Sequence, residues 1–168
     1  DLTSTSGNVT VSGAVNVSAA GSAIDFGSET WTVSGSWTNA STDAVVWEAG
    51  TGTIIFDSAT GGTMTFAGAN LAESEFSSVT FGSSAVAAQT FTMATRGLSW
   101  SGTLTVTSDT TLAKATFTLG AQANGALTVG GAGANGLTST SGNVTVTTVS
   151  ISGTGDFIDL GSELWTVR

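Results

Sequence analysis

Residues 2–33 read LTSTSGNVTVSGAVNVSAAGSAIDFGSETWTV, and residues 137–167 read LTSTSGNVTVTTVSISGTGDFIDLGSELWTV. The first ten residues of the two stretches are identical, at an offset of 135. After a one-residue deletion the match resumes at an offset of 134, and eleven of nineteen positions agree between Val15–Val33 and Val149–Val167. Other positions exchange one apolar residue for another, Val17 for Ile151 and Phe26 for Leu160. Self-similarity at a fixed offset marks stacked-repeat architectures, in which each unit buries its apolar face only against its neighbours. The 168 residues therefore read as one period and the start of the next. No linker or charge block divides them, so residues 1–168 form one continuous domain with a direct repeat at 2–33 and 137–167.

Within and between the copies the dominant pattern is a short alternation of period two. Val9-Thr10-Val11, Val15-Asn16-Val17, Ile24-Asp25-Phe26 and Trp31-Thr32-Val33 each set two apolar side chains on one face and a polar one between them. The form recurs at Met64-Thr65-Phe66, Phe91-Thr92-Met93, Leu104-Thr105-Val106, Phe117-Thr118-Leu119, Leu127-Thr128-Val129 and Val144-Thr145-Val146. Such alternation predicts half-buried strands. No window places apolar residues at i, i+3, i+4 and i+7, and only Gly68–Ser78 allows a short helical turn. Clusters of Gly, Ser and Asn separate the strands, as turn residues that tolerate positive φ.

Very short strands, direct long-range repetition and tryptophans in similar strand contexts predict an all-β parallel β-solenoid, a right-handed β-helix. Its coils would lie about 4.8 Å apart. An antiparallel β-sandwich is the alternative. It draws on Asn124-Gly125 and Asn135-Gly136, which are hairpin signals and predict antiparallel segments near residues 120–140.

The same residues carry a resemblance. WTVSGSWTNASTDAVVWEAGTGTIIFDSATGGTMTF (31–66), EFSSVTF (75–81) and GTLTVTSDTTL (102–112) resemble the β-strand-repeat segments of very large bacterial and archaeal surface proteins. Those segments read loosely as G-x-W-T-N, then G-T-G-T-hydrophobic-x-F, then F-x-x-L-T-hydrophobic, then a run of x-L-x-V-x-x. Val79 stands where such segments usually have Leu, and the acidic Glu29 and Glu163 stand where small residues are commoner. The resemblance implies a parallel β-helix in an adhesin-like or surface-layer protein at the cell surface. It carries no catalytic residue across.

Composition narrows the functional classes. Thr, Ser, Gly and Ala make up more than half the chain, only 9% of residues are charged, and Pro, Cys, His and Tyr are absent. A net charge of −9 with three cationic residues repels a phosphate backbone, so no nucleic-acid partner is expected. No run of about 18 apolar residues occurs, so no membrane insertion by a helix is expected. Scarce Lys and Arg amid abundant Ser and Thr fit an extracellular location.

Several polar constellations are candidates for chemistry. Asp25 with Glu29, repeated as Asp159 with Glu163 and joined there by Asp156, sets two carboxylates around a Gly-Ser turn. Such a pair could give hard oxygen ligands to calcium; the other reading is exposed charge that keeps strand edges from pairing. No other cofactor is expected. Asp43, Asp57 and Asp109 with Arg96 or Lys114 are the groups from which a carbohydrate-cleaving site would have to be assembled. Without His, Cys or Tyr most nucleophile sets are closed to this chain, and no enzyme is expected.

Asn8, Asn16, Asn39 and Asn143 lie in N-x-[ST] sequons and are candidate glycan acceptors. Thr-x-Thr pairs (Thr30/Thr32, Thr63/Thr65, Thr90/Thr92, Thr103/Thr105/Thr107, Thr116/Thr118, Thr145/Thr147) have the local form of ice-binding arrays. Their spacing along the chain is irregular, as expected for outward positions of β-prone strands.

The expectation from sequence is a structural module of an extracellular surface protein or self-assembling filament. Its partners would be copies of itself, head to tail, or further repeats in the same chain. A glycan-binding adhesin module and an ice-binding β-solenoid are the alternatives.

Overall fold

The computed structural model describes residues 2–17, 24–39, 47–48, 50–58, 61–66, 75–82, 89–93, 98–107, 110–113, 118–119, 126–130, 135–139 and 143–168. Its strands follow one another around three faces; on the two long faces each strand pairs in parallel with the strand three places later, and on the third the same pairing runs in three separate short sheets. The first long sheet stacks β2 (Val9–Val11), β5 (Thr30–Val33), β8 (Thr53–Phe56), β11 (Ser78–Phe81), β14 (Thr103–Val106), β17 (Ala126–Val129) and β20 (Thr148–Ile151). The second stacks β3 (Val15–Val17), β6 (Trp37–Asn39), β9 (Gly62–Phe66), β12 (Gln89–Met93), β15 (Thr110–Ala113), β18 (Gly136–Ser139) and β21 (Phe157–Asp159). The third face holds β1 (Leu2–Thr3), β4 (Ile24–Asp25) and β7 (Trp47–Glu48), then β10 (Glu75–Phe76), β13 (Ser99–Trp100) and β16 (Thr118–Leu119), then β19 (Val144–Val146) and β22 (Trp165–Val167).

This is a parallel β-solenoid, all-β and without helix among the described residues. The sandwich alternative is thereby set aside. So is the hairpin reading of Asn135-Gly136: Gly136 opens β18, which pairs in parallel with β15 and β21. Asn135 is 2% exposed and holds no tight reversal. Its backbone carbonyl accepts from Phe157 N (2.9 Å) in the next coil, and its own amide donates to Asp156 Oδ1 (2.8 Å). Asn124-Gly125 lies outside the described residues, as does 68–74 of the stretch read as a possible helical turn. The remainder of that stretch forms β10 and part of β11.

The alternation explains the core. On the first sheet Val9, Trp31, Ile54, Val79, Leu104, Leu127 and Val149 occupy one inward file, 22 to 25 residues apart. Val11, Val33, Phe56, Phe81, Val106, Val129 and Ile151 occupy the next. Every interior member of both files is buried. Large rings fill the space between faces: Phe56 stacks on Phe81 at 5.4 Å, and Phe26 meets Trp31 edge-on at 5.2 Å. Edge-on and offset contacts of this kind stabilise by about 1 kcal/mol beyond their burial.

Turns must let successive coils lie in van der Waals contact. The Gly27 carbonyl accepts from Thr51 N (2.8 Å) and Gly52 N (3.1 Å) of the next coil. Gly50 sits directly over it with φ of +57°, where a Cβ would collide with the same carbonyl. Glycine is required there for both conformation and space.

Candidate functional site

The repeated acidic turns come first, because both copies build the same local structure. Asp25 Oδ1 accepts from Gly27 N at 2.8 Å, and Asp159 Oδ1 accepts from Gly161 N at 3.0 Å. Both glycines have φ of +61°. Each pair is an Asx turn, in which the side chain stands in for a backbone acceptor. Each turn also presents a carbonyl to an indole: Trp31 Nε1 donates to Phe26 O (3.2 Å) and Trp165 Nε1 to Leu160 O (3.1 Å). Asn8 Oδ1 accepts from Thr30 N of the next coil at 3.2 Å, and Asn143 Oδ1 accepts from Leu164 N at 3.3 Å. These polar residues are the joints of the fold.

Glu29 bonds back on its own turn, taking Ser28 N at 2.9 Å and Ser28 Oγ at 3.2 Å. Glu163 does not reproduce this; its Oε2 is shielded from solvent without a hydrogen-bond donor. Asp156 does not join the Asp159–Glu163 turn. Its Oδ1 takes Asn135 N (2.8 Å) and Nδ2 (3.1 Å), and its Oδ2 takes Gly153 N (2.7 Å). The Asn135 amide, aided by the Asn135 side chain and the Gly153 amide, holds this carboxyl below the usual range. Among the described residues no group of three or more Asp and Glu side chains converges as a cation cage would. Asp43, Asp109, Arg96 and Lys114 lie outside the described residues, and Asp57 is partly exposed just after β8.

One acid lies deeper. Glu75, in β10, stands opposite Ser99 of β13. Burial pushes its carboxyl above the usual range, and the Ser99 hydroxyl pulls it part of the way back.

Of the sequon asparagines, Asn8, Asn16 and Asn143 are exposed. Asn39 is 1% exposed and faces the interior of β6, where a glycan has no room.

The threonines are ordered in a way that chain spacing concealed. Thr10, Thr32, Ile55, Thr80, Thr105, Thr128 and Ser150 form one outward file along the first sheet. Beside it run Thr30, Thr53 and Ser78, then Thr103, Ala126 and Thr148. The two runs meet where Thr103 N donates to Ser78 Oγ at 3.4 Å. Neighbours repeat every ~4.8 Å across coils and about 6.7 Å along each strand, and neither file holds a charge. The pairs along the chain come from three faces: Thr118 and Thr145 lie on the third, and Thr63/Thr65 and Thr90/Thr92 on the second sheet. On the second sheet the file Thr90, Thr111, Thr138 ends on Asp159.

The chain matches no protein-family model, no curated relative and no solved structure.

Proposed function

We propose that this chain is a structural, non-enzymatic module of an extracellular surface protein or filament, a length of solenoid that extends end to end by coil stacking. One sequence in two settings carries the reading. Val17, Phe26 and Val33 of the first copy are 8%, 3% and 0% exposed, whereas their counterparts Ile151, Leu160 and Val167 are 49%, 49% and 58% exposed. The first three lie under a following coil and the last three do not. Covering a large apolar side chain stabilises by about 1.5–3 kcal/mol; among the described residues β20, β21 and β22 each pair on one edge only, and an unpaired edge templates further pairing. Contacts of this head-to-tail kind do not close, so they propagate as fibres. An extracellular setting is supported by the scarcity of Lys and Arg and by the resemblance to surface-protein repeats.

Sedimentation and negative-stain imaging of the chain over a range of concentrations test this. Concentration-dependent association into rods of constant width is expected. A monodisperse globular monomer at every concentration overturns the reading.

The threonine files favour a second reading, binding to ice. They form an uncharged, regularly spaced hydroxyl and methyl grid on one sheet. Thermal-hysteresis measurements should then show activity that Thr80→Tyr or Thr105→Tyr abolishes and Thr92→Tyr, on the second sheet, leaves intact. Absence of hysteresis in the unsubstituted chain removes this reading.

A further inference from the structure

The two copies of the repeat do not lie on the same faces. β1 to β5 of the first copy correspond to β18 to β22 of the second, seventeen strands later. Each coil takes three strands, so the repeat returns after five and two-thirds coils, one face back around the solenoid. Val9–Val11 lies on the first long sheet, while its counterpart Val144–Val146 lies on the third face. Val15–Val17 lies on the second sheet, while Val149–Ile151 lies on the first.

We propose that the open coil β20–β22 is the docking site for one kind of occupant, a coil with the sequence of β6, β7 and β8, entering one face back from where those strands lie in this chain. The inference rests on the stacking reading above and names the partner of that surface. The first copy shows what covers this sequence. β3, β4 and β5 are overlaid by β6, β7 and β8, with Val15 opposite Trp37, Ile24 opposite Trp47, Trp31 opposite Ile54 and Val33 opposite Phe56. Trp37, Ile54 and Phe56 are at most 2% exposed there, closing the core over the coil beneath. Transferred to the second copy, the register sets Val149 opposite the Trp37 position. Ile158 then faces the Trp47 position, Trp165 the Ile54 position and Val167 the Phe56 position. The exposed Val149, Ile151, Leu160 and Val167 are thereby covered by the side chains that cover their counterparts. Strands like β6 extend the first sheet, strands like β7 the second, and strands like β8 the third face. Three successive periods return the repeat to its starting face, so a surface feature borne by the repeat would wind around the stack.

Residues 35–58 joined a second time directly after Arg168, the position equivalent to Ser34, provide the test. A peptide of residues 34–58 added to the unextended chain provides a second arm that does not depend on folding of the extension. Amide exchange across 149–151 and 157–167 should slow by about tenfold or more, towards the rates of 15–17 and 24–33. The chain has no cysteine, so engineered pairs report the register. Thr166→Cys should cross-link with Ile55→Cys in the added segment, as Thr32 lies opposite Ile55 in the first copy. Cross-linking of Ser150→Cys with that same position means an unrotated stack and overturns the proposal. If the chain self-associates while neither arm slows exchange, stacking stands and this occupant is wrong. If neither association nor protection occurs, both readings fall.

Discussion

Residues 2–33 and 137–167 are nearly one sequence in two surroundings, and the comparison separates what a strand-turn unit carries from what its neighbours supply. Three of the hydrogen bonds transfer, while those that Glu29 makes to Ser28 do not. Asn8 and Asn143 each take the amide one coil on, Asp25 and Asp159 each fold back on a glycine, and Trp31 and Trp165 each reach the carbonyl five residues earlier. Burial does not transfer, and it inverts along the segment. Leu2 is 50% exposed and Leu137 fully buried, because among the described residues β1 pairs only with β4, while β18 lies between β15 and β21. Val33 is fully buried and Val167 58% exposed, because only the first is overlaid. Turn geometry is a local property of the chain, whereas the hydrophobic contribution of a strand in a stack comes from the coils above and below.

The largest test of this contrast is truncation of the paired tryptophans. Trp31→Ala, at a fully buried site, should cost about 3–5 kcal/mol in denaturant unfolding. Trp165→Ala, in the half-covered last coil, should cost about 1.5 kcal/mol. Equal losses would break the comparison.

Glycine turns sharpen it at the next level. Gly50→Ala meets both a left-handed φ and the Gly27 carbonyl, and a loss of about 3 kcal/mol is expected. Gly7, at φ +81° with open space around it, should lose only the conformational term, about 1 kcal/mol. The amide acceptors come next. Asn8→Ala and Asn143→Ala should each cost about 1 kcal/mol, equally at the two ends, because this bond is the part that transfers. A large difference between them in thermal melts would show that the joints depend on burial after all.

The smallest effects are those of pH, and they have opposite signs in a covered and an uncovered coil. Glu75 has its carboxyl raised by burial. The folded state therefore holds its proton more tightly than the unfolded one, and stability falls as pH rises from about 4.3, the unfolded value, through the folded value. Glu75→Gln should raise the melting temperature at neutral pH, with the gain vanishing below about pH 4. Asp156 is lowered by its three donors. Its contribution is present above its unfolded value, about 3.9, and is lost as pH falls through the folded value. Asp156→Ala should therefore loosen the last coil at neutral pH and have no effect in strong acid, read by exchange at 152–157. A Glu75→Gln gain that persists unchanged into acid would contradict the burial account.

Much of the architecture was legible in particular residues. Val9-Thr10-Val11, Trp31-Thr32-Val33, Leu104-Thr105-Val106 and Leu127-Thr128-Val129 announced half-buried strands, and all four lie on one sheet with Thr outward. Asn135-Gly136 misled. In isolation the pair suits a tight reversal, but Asp156 and Phe157 of the following coil bind its backbone and continue it as a parallel strand. The threonine pairs misled differently. Read along the chain their gaps are irregular, because the chain visits three faces in turn and loops of unequal length separate the visits. Asn39 read as a surface sequon, and alternation within β6 turned it inward with Trp37. The acidic turn residues were found by repetition, yet the role of Asp156 needed Asn135, twenty-one residues away.

The sequence by itself determined the strand-turn unit: which residues alternate, which turn on Gly and Asx, and that the unit recurs. Those properties have a period of two residues or span a single turn, so they are complete within a few residues of chain. Only the tertiary structure decided which strands lie on one face, that the repeat returns rotated, and which copy of each apolar residue is buried. These depend on contacts between residues 22 to 25 apart, whose alignment is set by the summed lengths of three strands and three loops. A one-residue change in any loop leaves the local pattern intact and moves the register of everything stacked above it.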